Sequence, residues 1–160
     1  MGVIIEPADF SSDAFAALVE RHTAFCDGTA PAESCHRLPL DALMHPALTV
    51  WQAIHEGQLV GMGALREMPG NAGEIKSMHT VQEARGIGVA QQILSTIITA
   101  ATARGYHALW LETGVHPDFD AARRLYGARG FVETEPFGDY THDPHSVFLT
   151  LPLIPKGAAE

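Results

Sequence analysis

Apolar residues along the chain fall into two alternating periods, and the alternation lays out the elements. Val3, Ile4 and Ile5 form a short apolar run that reads as a first strand. Phe15, Leu18, Val19, His22 and Cys26 recur at three- and four-residue spacing, which predicts an amphipathic helix over about 12–25 with Ser11 or Ser12 as its cap. Residues 28–39 are irregular, with one helical turn near 32–36, and 40–43 read as another turn. Strands are predicted at 48–55, 59–66 and 74–80, separated by the turn signals Glu56-Gly57 and 69–71, so they run antiparallel in succession. Ile87, Ala90, Leu94, Ile97, Ile98 and Ala101 mark one face of a helix over 87–104, and Gly105 stands where a C-terminal cap belongs.

The pattern then returns to a strand at 106–112. A helix separates it from the strand before, so the two are expected to lie parallel through a right-handed crossover. Asp118 or Asp120 is placed to cap a helix that runs to Ala128 and stops at Gly130. Segments 131–135 and 146–151 pair as a terminal hairpin around a long polar loop, and 155–160 form a loose tail. The order β-α-α-β-β-β-α-β-α-β-β predicts an α/β (α+β) fold with a mixed, mostly antiparallel sheet and helices on both faces. It reads as one domain over 1–154.

Composition narrows the function. With 160 residues and 46% hydrophobic content, the chain suits a single well-cored globular domain. Met1 to Phe10 carries Glu6 and Asp9 and lacks the basic start and apolar centre of a secretory leader, and no apolar run approaches a membrane span. A cytoplasmic protein is expected. The net charge of -9 disfavours nucleic acid and anionic membranes as partners and leans toward a cationic one, such as an amine. Cys26 and Cys35 have no metal-ligand spacing and make no disulfide framework, so they read as small hydrophobes. No H-E-x-x-H or C-x-x-C pattern accompanies the nine histidines, and no metal is expected at His116, His142 or His145.

The chemistry concentrates at 74–90. A strand runs into Val81-Gln-Glu-Ala84, then Arg85-Gly-Ile-Gly-Val-Ala90, then the helix. A glycine turn at a helix start offers free backbone N–H groups to an anion. Gly86 and Gly88 let a phosphate approach the main chain, and Arg85 adds a charged fork. A dinucleotide site wants G-x-G-x-x-G or a closing alanine, and this chain has Gln91 at that third position.

The alternative pattern R-x-x-G-x-A is met by Arg85, Gly88 and Ala90, and with the strand before it this loop resembles the acyl-CoA pyrophosphate loop of the GNAT superfamily of N-acetyltransferases. A second match follows in order: Ala122, Leu125 and Tyr126 on a helix, then Gly130 and Phe131 entering a strand, similar to the A-x-x-L-Y…G-F of that superfamily. The stretch from Pro136 to Phe148 also resembles a bacterial subgroup of undefined acceptor. One departure stands out. Relatives often carry a cofactor-contacting Asn seven residues before the tyrosine, where this chain has Phe119, so Asp118 or Asp120 is left to supply that contact.

The resemblance implies acetyl-CoA as co-substrate, its pantetheine arm along Met78, His79 and Thr80, and its pyrophosphate on Arg85, Gly86, Ile87, Gly88, Val89 and Ala90. It implies Tyr126 as the acid that protonates the departing thiolate. For the proton acceptor it offers Glu74, then Glu112, then His79. Five positions separate His79 from Glu74, which in a regular strand puts their side chains on opposite faces. His36, Arg37, His45 and Trp51 lie in segments that would shape the acceptor pocket. The implied reaction is direct attack of a small-molecule or protein amine on the thioester, in a chain that some relatives' habits suggest is a homodimer. A non-catalytic acyl-CoA sensor or assembly module on the same fold is the alternative.

Overall fold

A computed structural model describes residues 2–28 and 38–153. The expected turn near 32–36, Cys35, His36, Arg37 and the tail lie outside the described residues. Strand β1 spans Ile4–Pro7 and helix α1 spans Asp13–Asp27, where the Ser12 side chain accepts from the Phe15 amide at the N-terminus. Helix α2 is the single turn Leu40–Leu43. Then come β2 (Leu48–His55), β3 (Gln58–Met68) and β4 (Ala72–Thr80), followed by α3 (Val89–Ala103), β5 (Ala108–Gly114), α4 (Asp120–Ala128), β6 (Val132–Thr134) and β7 (Ser146–Pro152).

The element order is the one the periodicity predicts, with strand β5 starting two residues later than expected. The strands form one seven-stranded sheet in the order β1-β2-β3-β4-β5-β7-β6, and only β4 and β5 pair parallel. Strand β7 therefore enters between β5 and β6, a placement that hydrophobic pattern alone does not carry. Neither Asp118 nor Asp120 caps α4; the His116 ring nitrogen instead accepts from the Asp118 amide in the short turn just before it. Among the described residues, no helix is long and apolar enough to cross a membrane.

Helix α3 buries Val89, Ile93, Leu94, Ile97 and Ala101 against the sheet centre. It comes close because β3 presents glycines there. A Cβ built on Gly63 would stand 2.5 Å from the Ile93 methyl and 2.7 Å from the Met78 sulfur. Gly63→Ala should therefore cost about 1–3 kcal/mol through overpacking, read as a lower urea midpoint at unchanged m-value. Helix α1 packs on the other face of β3, burying Phe15, Leu18, Val19 and His22.

The register of β3 with β4 contains an irregularity that matters for the site. Arg66, Ala64 and Met62 face Glu74, Lys76 and His79, so Gly63 alone opposes both Ser77 and Met78. This is a β-bulge, and Ser77 occupies it at φ 57, a left-handed conformation uncommon outside glycine. The extra residue resets the alternation. His79 lands on the same face as Glu74, contrary to the regular-strand expectation, while Met78 turns toward α3.

Candidate active site

Strands β4 and β5 pair only at the positions from Ala72↔Ala108 to Ile75↔Leu111. Beyond that point β4 continues along β3 to Thr80, and β5 continues along β7 to Gly114. The two strands diverge, and among the described residues the edge of β4 from Lys76 onward has no sheet partner on that side. Main-chain N–H and C=O groups on such an edge are available to an extended ligand.

A cavity of about 420 Å³ opens along this divergence. Met78, His79, Thr80, Arg85, Gly86, Gly88, Val89 and Ala90 line one side of it, and Tyr126 lines the other. Ile87 is not in the lining; its side chain is exposed, which suits a residue expected to contribute only its backbone.

The glycine loop at 85–90 has the backbone geometry its glycines allow. Gly86 and Gly88 both sit at φ 87, where a side chain is strained. A Cβ at Gly86 would meet nothing within 4 Å, so the surface above the loop is open. Gly88 is also the N-cap of α3, and no side chain caps that helix. The first-turn N–H groups therefore face outward beside Arg85, with the positive end of the helix dipole behind them. The residues present fit a diphosphate.

Tyr126 is 4% exposed and packs edge-on to Phe131 at 5.5 Å. Burial pushes its phenol well above the usual tyrosine range, so the hydroxyl stays protonated at the cavity wall. Phe119 lies over Gly114, where a Cβ would come within 2.6 Å of its ring, and its edge meets Phe25 of α1 at 5.2 Å. An apolar contact thus stands at the position where the resemblance leads one to expect a polar one. Of the two aspartates offered in its stead, Asp118 lines the cavity and Asp120 turns away to pair with Arg123.

The two glutamates are placed differently from the tyrosine. Neither lines the cavity; both lie on the sheet face away from α3. Glu74 is 2% exposed, and its oxygens are occupied. Lys76 Nζ stands at 3.1 Å and the Tyr140 hydroxyl at 2.6 Å from one oxygen, and Arg66 stands at 3.4 Å from the other. Lys76 also reaches the Tyr140 oxygen at 2.8 Å. Tyr140 is raised above the ordinary phenol range by burial and by the Glu74 carboxylate, so it donates. Glu112 accepts from the Ser146 hydroxyl at 2.7 Å. Phe137 and Tyr140 pack on Phe148 and roof this face.

Sequence reasoning missed Lys76, Tyr140, Phe25 and His22. Only Tyr140 had a signal, its place in the Pro136–Phe148 stretch, and its partner Glu74 is 66 residues away. His45 accepts from the Ala47 amide and Trp51 packs on the core from β2, so neither reaches the cavity. Among the described residues no three His, Cys, Asp or Glu side chains are grouped to hold a metal. His142 instead approaches Glu135 at 3.2 Å on the surface.

Comparison with known proteins points one way. Residues 15–131 match the model of the acetyltransferase (GNAT) family. The chain is 43% identical over 145 residues to the uncharacterized N-acetyltransferase YsnE of Bacillus subtilis, covering 91% of this chain and 96% of that one. It is 38% identical to the IAA acetyltransferase of Azospirillum brasilense, covering 88% and 92%. A GNAT family acetyltransferase from Elizabethkingia anophelis, solved with acetyl-CoA bound, shares the fold at TM-score 0.69 and 17% identity, covering 95% and 99%. A family match over residues 15–131 and a relative 43% identical across nearly the whole of both chains settle the membership: the chain belongs to the acetyltransferase (GNAT) family, whose co-substrate is acetyl-CoA.

Proposed function

We propose that this enzyme moves the acetyl group of acetyl-CoA to a primary amine by direct attack within a ternary complex. The observation that carries the reading is that one and the same cavity is lined by the glycine loop and by Tyr126, along the open edge of β4. The loop at 85–90 holds the pyrophosphate, and the backbone of 78–80 pairs with the pantetheine arm. The amine nitrogen attacks the carbonyl carbon, the C–S bond breaks, and Tyr126 passes its proton to the thiolate. The amine must be neutral to attack, so its extra proton leaves first.

We assign that proton to Glu112, through water. Glu74 serves instead as a fixed ionic strut, because accepting a proton would cost it contacts to Lys76, Tyr140 or Arg66. Glu112→Gln should then lower the rate and flatten the acid limb of the pH–rate profile. Glu74→Gln should lower the melting temperature and leave the shape of that profile unchanged. The reverse pattern would restore Glu74 as the base.

The test of the function is a thiol-release assay with acetyl-CoA against a panel of amines, amino acids and N-terminal peptides. IAA joins the panel because the Azospirillum relative bears that name. Amine-dependent thiol release supports the reading. Tight acetyl-CoA binding with no release across the panel would favour a sensor over an enzyme.

A further inference from the structure

Two imidazoles meet beneath the cavity. His22 of α1 and His79 of β4 stand Nδ1 to Nδ1 at 3.1 Å, with rings edge to face at 5.0 Å between centroids. The bulge at Ser77 is what turns His79 toward α1. One proton lies between the two nitrogens, so one ring donates and the other accepts. The Cys26 sulfur stands 3.7 Å from His22 Nε2, one helical turn along α1.

Imidazole nitrogen is a better acceptor than sulfur, so this contact favours the tautomer in which His22 Nε2 accepts from Cys26 S–H. In that tautomer His22 carries its proton on Nδ1 and donates to His79 Nδ1. That leaves the remaining proton of His79 on Nε2. This nitrogen has no hydrogen-bond partner among the described residues, it is not one of the sealed unpartnered atoms, and His79 lines the cavity.

We propose that His79 is a catalytic residue that donates from Nε2–H to the acyl carbonyl oxygen as negative charge develops on it, and that His22 is the positioning residue that fixes this tautomer. The proposal rests on the reading that the acetyl-CoA thioester lies at the split beside 78–80. The step is a hydrogen bond strengthened in the transition state. No proton is transferred at His79, and the oxygen returns to a carbonyl when the C–S bond breaks.

The surroundings favour a neutral ring. Among the described residues, Arg21 and Cys26 of α1 and Glu83 and Arg85 of the turn before α3 are the charged and titratable groups near it besides His22, with Asp118 across the cavity and Phe25 as an apolar neighbour. Burial first, then the Arg21 and Arg85 charges, hold His79 down to about 4. A neutral imidazole kept from protonating is suited to donate a hydrogen bond and unsuited to act as a base.

The experiment combines four variants with one spectrum. His79→Leu should lower kcat about 100-fold with the fastest amine of the panel, at an acetyl-CoA KM within about threefold of wild type. His79→Gln, which keeps a side-chain N–H, should recover most of that loss. His22→Leu should lower kcat with the same KM pattern, and His22→Asn, whose amide N–H replaces Nδ1–H, should recover it. If His79→Gln is as impaired as His79→Leu, His79 is a base and the proposal fails. The imidazole 15N spectrum of the wild-type protein alone reads the tautomer without any assay. It should show His79 protonated at Nε2 and bare at Nδ1, and the opposite tautomer overturns the proposal even where activity is intact. Failure of wild-type acetyl-CoA binding would instead strike at the functional reading, leaving the tautomer result to stand by itself.

Discussion

Tyr126→Phe is expected to lower turnover by about 100- to 1000-fold while leaving the acetyl-CoA KM within about threefold of wild type. The ring is buried and packs on Phe131, and phenylalanine keeps that packing, so the fold and the slot survive the change. What disappears is one hydroxyl at the cavity wall. Burial holds that hydroxyl protonated through the working pH range, so wild type should show no alkaline loss of rate from this group. A thiolate leaving without a proton or hydrogen bond is a poorer leaving group, and the deficit appears in the chemical step. Steady-state kinetics with a low-pKa thiol donor in place of acetyl-CoA sharpens the check, since such a donor should narrow the gap between the two enzymes. Equal kcat in wild type and variant would remove Tyr126 as the acid.

Gly88→Glu should weaken acetyl-CoA binding by about 100-fold or more. Two causes combine. The residue sits at φ 87 as the N-cap of α3, where a side chain costs roughly 1–2 kcal/mol of strain and shifts the loop. The carboxylate also stands at the proposed phosphate site: it would compete for the same N–H groups and repel the ligand. Steric clash is not the cause, because a Cβ there meets only the Gln91 side chain at 3.8 Å. Gly88→Ala separates the terms. It carries strain without charge and should weaken binding by about tenfold. The circular dichroism spectrum and urea midpoint of both variants check that the loss is local.

The two motifs were legible in the sequence because each is local. Arg85, Gly86 and Gly88 lie within four residues, and backbone conformation alone makes their site. The strand-helix-strand order around them was legible because hydrophobic period changes sharply at 87 and again near 106. The bulge was not legible. Ser77 carries no glycine signal, yet one inserted residue moves His79 across the sheet to His22. The Glu74–Lys76–Tyr140 cluster was half legible: Glu74 stood out as a strand carboxylate, but its tyrosine comes from a loop whose path no pattern fixes. The Phe25–Phe119 contact likewise joins two segments far apart in sequence, and Phe119 could be read only as a missing asparagine.

Calorimetric titration of the purified protein with acetyl-CoA, with NAD as the control nucleotide, tests the central claim most directly. Saturable binding of one acetyl-CoA per chain, lost in Gly88→Glu, with no comparable heat from NAD, is the expected result. Absence of acetyl-CoA binding, binding indifferent to Gly88→Glu, or tighter binding of NAD would contradict it.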